Sequence, residues 1–85
     1  MDTQTIERTT LSNLIYNENY ARKVLPFIKS KYFEVKEERI IFEEISNFVD
    51  KYKKIPTQTS LEIEVGERKD LSEIETEEIN KIISK

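Results

Sequence analysis

The stretch Lys31–Pro56, KYFEVKEERIIFEEISNFVDKYKKIP, constrains the fold more than any other part of the chain. Ile41, Ile45, Phe48, Tyr52 and Ile55 recur at spacings of four, three, four and three, and Phe42 and Val49 widen the row. Apolar side chains at that interval share one face of an α-helix, and a stripe this broad meets more than one neighbour. Glu37, Glu38, Glu43, Glu44, Asp50, Lys51, Lys53 and Lys54 supply the polar side. They run acidic first and basic last, the order that the helix macrodipole favours. Pro56 sets the limit, because the residue before a proline avoids the α region. The spacing predicts one central helix over about 36–54.

The flanking segments are also helical in pattern. Met1–Thr5 is a polar terminus with nothing to anchor it, and is expected to be loose. Ile6, Thr10, Leu11, Leu14 and Ile15 then share a face, which predicts a helix from about Thr5 to Tyr16. Asn17 or Asn19 can cap a second helix, Glu18–Leu25, whose face is Tyr20, Val24 and Leu25. Pro26 opens a short helical turn to Ser30, with Ile28 on the same apolar side. Tyr32 and Phe33 are expected to plug the junction before the central helix.

After Pro56, Leu61, Ile63 and Val65 alternate with glutamates as a strand would. A lone strand leaves its backbone unpaired, and no partner strand is visible elsewhere. The expectation is a short helix, Thr59–Val65, stopped near Gly66, the single glycine. Ser72 with Glu75 fits a capping box. A last helix starts at Ser72 or Thr76 and reaches Ile83, with Ile74, Ile79, Ile82 and Ile83 on its face. The face is still apolar at the last residues, so the C-terminus is expected to be a truncation point. The fold class expected is all-α: a single domain over 1–85, with five to six helices around the central one.

Composition narrows the chemistry. The 85 residues contain no Cys and no His, which removes thiolate chemistry, most zinc sites and the usual general base. The net charge is −3, against a surface that works by neutralising phosphates. No apolar run approaches the roughly 20 residues needed to cross a bilayer, and no signal peptide is visible, so the cytoplasm is the expected compartment.

The carboxylate pairs Glu37/Glu38, Glu43/Glu44, Glu62/Glu64 and Glu77/Glu78 are the candidates for chemistry. Glycosidic or oxygen-ligand metal sites need carboxylates that converge. Adjacent helical residues diverge by about 100°, so these pairs read as solvated surface. Ser30 precedes Lys31 without any pocket-like context, and a phosphate loop cannot be built from one glycine. No catalytic, cofactor-binding or metal-ligating residue is therefore assigned. Lys51, Lys53 and Lys54 complement the dipole of the central helix, with contact to nucleic acid or an acidic partner as the lesser reading. Tyr52, within the stripe, is expected in the core rather than as a stacking platform.

Four segments in order resemble the N-terminal domain of DnaB-type replicative helicases. Leu11-Ser12-Asn13-Leu14-Ile15-Tyr16, with Tyr20 and Val24-Leu25-Pro26, is similar to the family's opening helix pair. Tyr32-Phe33 resembles its aromatic pair, and Arg39-Ile40-Ile41-Phe42-Glu43 with Ile45 its core helix. Pro56 followed by Leu61 resembles its proline turn and the next helix. Glu38 stands where cellular members often have His, which points to the T-even-like phage branch, and the turn after Pro56 is shorter than the cellular pattern.

The resemblance implies an all-helical collar domain that supports hexamer assembly. It implies protein partners: primase, a helicase loader and other helicase subunits. ATP and Mg would belong to a motor domain, and no cofactor is expected in this one. The family's dimerising hairpin lies beyond the matched region, so at most weak self-association is expected. Strong direct DNA binding and membrane contact are not expected. A free-standing helical adaptor or regulator of phage or bacterial DNA metabolism is the alternative.

Overall fold

The computed structural model describes residues 3–84, with side chains from Ile6 onward. Five α-helices follow in order: α1 (Thr3–Tyr16), α2 (Glu18–Val24), α3 (Lys36–Tyr52), α4 (Gln58–Gly66) and α5 (Glu73–Ile83). Two 3-10 turns, Leu25–Phe27 and Ser30–Tyr32, join α2 to α3. Among the described residues there is no strand. The all-α expectation holds, and the alternating segment Leu61–Val65 is helix.

Local chemistry sets the boundaries. Asn17 caps α2 by accepting from the Tyr20 amide at 3.1 Å. Thr57 caps α4 through the Ser60 amide, also at 3.1 Å. Ser72 and Glu75 form the full capping box of α5, each side chain accepting from the other's amide. These bonds satisfy amides that a helix start leaves without internal partners.

Helices α2 and α4 differ from expectation by one residue at one or both ends, and three other boundaries differ by more. Helix α1 begins at Thr3, so Thr3–Thr5 are not loose; residues 1 and 2 lie outside the described part. Threonine is a poor helix former, but extending an existing helix needs no new nucleus. The single turn expected over Pro26–Ser30 is two turns, because Ile28 and Lys29 are extended. Helix α3 stops at Tyr52 rather than 54. Lys53 adopts a left-handed conformation (φ 60°, ψ 30°), and its amide donates to the Val49 carbonyl at 2.8 Å. That turn closes the helix before the restriction from Pro56 is reached.

Helix α3 carries the packing. Helices α1, α4 and α5 and the second 3-10 turn all lie against it. Ile40, Ile41, Phe42 and Ile45 are buried there with Leu11 and Leu14 of α1, Leu61 and Val65 of α4, and Ile79 and Ile83 of α5. Phe33 is the plug, fully buried with its ring 5.5 Å from that of Phe42. Tyr32 lies edge-on to Phe33 and stays 42% exposed, so one aromatic fills the junction and the other covers it.

The predicted stripe holds only for the first half of α3. Phe48, Val49 and Ile55 are half-buried, and Tyr52 is 44% exposed, which corrects its placement in the core. At 1.5 Å per residue α3 is about 25 Å long, and the shorter α4 and α5 cannot cover all of it. Two other faces are rotated from expectation. In α1 the buried positions are Glu7, Leu11 and Leu14, leaving Ile6 at the surface. In α5 Ile79 and Ile83 are buried, while Ile74 is 73% exposed.

Phe42→Ala removes a nearly buried ring beside Phe33 and should cost about 3–5 kcal/mol. A thermal melt unchanged from wild type would contradict this packing. Gly66 gives the opposite case. It closes α4 without a positive φ, and a Cβ there would meet nothing within 4 Å. Gly66→Ala should therefore raise stability by about 0.5–1 kcal/mol in a urea titration, since Ala is the better helix residue and orders at lower entropic cost.

Candidate functional site

The acidic pairs do not converge into a cleft, although Glu43 and Glu44 both reach Arg68, at 4.0 and 3.1 Å. Glu77 and Glu78 face solvent, and Glu62 and Glu64 are half-buried on α4. Among the described residues no three His, Cys, Asp or Glu side chains come together in a group that could hold a metal ion. Two carboxylates are nevertheless fully inside, and neither was legible as such. Glu38 was expected on the polar side, yet it is 1% exposed, as is Glu7.

These two form a polar clasp between α1 and α3. Arg8 donates through Nε to Glu38 Oε2 at 2.5 Å. Glu7 Oε1 accepts from the Glu34 amide at 2.7 Å, tying α1 to the segment before α3. Glu7 Oε2 and Glu38 Oε1 have no hydrogen-bond partner among the described residues. Sequence spacing could not reveal the clasp, because Arg8 and Glu38 are thirty positions apart.

Arg68, after α4, makes a second node. Its guanidinium donates to Glu44 at 3.1 Å and to Asp70 at 3.0 and 2.8 Å. Burial pushes the Glu44 carboxyl up despite the opposing charge of Arg68. The exposed Asp70 is held below the usual carboxylate range, chiefly by its hydrogen bond from Arg68. Lys36 and Glu75 pair at 2.8 Å across the starts of α3 and α5. Tyr16 donates through its hydroxyl to the Ile83 carbonyl, joining the ends of α1 and α5. Apart from the local Arg68–Asp70 pair, these contacts tie one element to another, and Glu7, Glu38, Glu44 and Glu75 act as fastenings.

One open surface lies around the far end of α3. A groove of about 240 Å³ lies between α2, the first 3-10 turn and the α3 terminus. Ala21, Leu25, Pro26, Val49 and Ile55 line it, with Arg22, Lys53 and Lys54 also on its walls. Lys51 sits 5.1 Å over the Tyr52 ring, and Tyr52 stacks at 4.6 Å on Phe48. Phe27, next to Pro26, is 85% exposed. A small groove with an aliphatic floor and cationic walls suits side chains of another protein better than a cofactor.

The described residues thus define a small all-helical domain. The family model described as DnaB-like helicase N terminal domain matches residues 2–85. A DnaB-like replicative helicase of Enterobacteria phage T4 is 32% identical over 75 residues, covering 88% of this chain and 16% of the phage protein. The chain belongs to the DnaB-like helicase N-terminal domain family. It spans about a sixth of the length of that phage relative. No helix among the described residues is long and apolar enough to cross a membrane.

The clasp yields a paired expectation. Arg8→Ala leaves the buried Glu38 carboxylate unpaired and should cost about 3 kcal/mol. Glu38→Met replaces it with an apolar side chain of similar length and should be close to neutral. Urea titrations of both variants check this, and equal losses would show that Arg8 does not compensate Glu38.

Proposed function

We propose that this chain is the non-catalytic N-terminal domain of a phage-type replicative DNA helicase, supporting hexamer assembly and docking primase or a helicase loader in the host cytoplasm. ATP and Mg then belong to a motor domain elsewhere in the protein. The family match carries this reading, because it runs over the whole folded unit rather than over one helix. The surface supports it. Glu7, Glu38, Glu44 and Glu75 fasten one element to another, while other charged groups and some apolar ones are left outward, where electrostatic complementarity selects partners.

The test is calorimetric titration of the chain with the primase and the loader of its own replication system, and with a 20-base-pair duplex. Saturable binding to at least one of the proteins, without duplex binding, is expected. Tight duplex binding without a protein partner would transfer the chain to the class of DNA-binding regulators.

A further inference from the structure

We propose that the groove between α2 and the end of α3 is the docking site for an acidic amphipathic helix of a partner protein. This rests on the docking role above and adds where the partner binds and what it is made of.

Charge is the first argument. The chain carries a net −3, yet the rim of this groove is cationic, with Arg22, Lys53 and Lys54 on its walls. A helix C-terminus holds only about half a negative charge. Lys51, Lys53 and Lys54 supply three positive charges within four residues, more than dipole complementation needs. Lys53 and Lys54 have no ion-pair partner among the described residues, whereas Arg8, Lys36 and Arg68 are each bound to carboxylates. Arg22 is already paired with Glu18, so Lys53 and Lys54 are the free contacts.

Shape is the second argument. The floor is aliphatic, from Ala21 and Leu25 on one side and Val49 and Ile55 on the other. At about 240 Å³ it admits a few side chains rather than a drug-sized ligand. An amphipathic helix places such a row at i, i+3, i+4 and i+7 and leaves its other face for charge. Nucleic acid is the poorer fit, since the groove floor is aliphatic and offers no stacking platform, the exposed Phe27 and Tyr52 lying outside its lining.

The probe is a fluorescein-labelled 14-residue helical peptide with Leu at positions 1, 4, 8 and 11 and mainly Glu and Ala elsewhere. Its Lys-for-Glu counterpart and a 20-nucleotide single strand are the comparisons. Anisotropy at 50 mM salt should show the acidic peptide binding at least tenfold more tightly than the basic one. The Lys53→Glu/Lys54→Glu variant should lose about tenfold, with its thermal melt checking that it folds. Amide shifts on binding should cluster at Ala21, Leu25, Val49 and Ile55. Absence of acidic-peptide binding, equal binding of both peptides, shifts elsewhere, or binding of the single strand instead would each overturn the proposal. The same variant titrated with primase and loader separates the two levels. Unchanged protein binding removes the groove and leaves the docking role, while no binding by wild type removes the role itself.

Discussion

The burial of the first half of α3 is the constraint on which the domain depends. A chain of this size has room for one core, and a single buried side chain contributes about 1.5–3 kcal/mol, a sizeable share of marginal stability. Ile40, Ile41, Phe42 and Ile45 meet α1, α4, α5 and Phe33 at that one place. Helices α4 and α5 also lie against each other, and α1 against α2. Helix α4 commits only Leu61 and Val65, one turn apart, and α5 only Ile79 and Ile83. Both pairs reach the one core that α3 centres.

Two buried carboxylates complicate that core. Removing Glu7 and Glu38 from water is costly, and each recovers only part of the cost through one paired oxygen. Their contacts join α1 to α3 and to the Glu34 backbone, which fixes the angle at which α1 lies on the central helix. Aliphatic packing of Leu11 and Leu14 alone tolerates sliding by a turn. A directional bond from Arg8 to a buried oxygen does not.

Periodicity in the sequence located the helices, their caps and most of the core. Of the residues that carry the family resemblance, Leu11, Leu14, Phe33, Ile40, Ile41, Phe42, Ile45 and Leu61 are buried, whereas Tyr16, Pro26 and Tyr32 are exposed. What it could not give was rotation. Adjacent helical positions differ by about 100°, so a face whose centre is one residue off exchanges Ile6 for Glu7. Apolarity alone favours the wrong one, because the partner that makes Glu7 acceptable, the Glu34 amide, comes from elsewhere in the chain. Ile74 errs in the same way, being apolar yet outside. At the candidate site the lysines were legible as a charge cluster. The groove between them was not, since Leu25 and Val49 belong to different elements and meet only in the fold.

The far end of α3 is hard to explain from within the domain. Its last turn leaves Tyr52 largely in solvent and holds Lys53 in a left-handed conformation, which costs a non-glycine residue on the order of 1 kcal/mol. Phe27 nearby buries almost nothing. Yet Phe48, Val49 and Ile55, half-covered, already need only modest shielding, which a helix ending at Val49 would keep in part. The extra turn instead sets Lys53 and Lys54 beside an aliphatic groove, and nothing among the described residues uses that placement. Half of α3 is therefore committed to the core and half to a surface. In a domain whose carboxylates are fastenings, the second half is where contact with another protein has the most to offer.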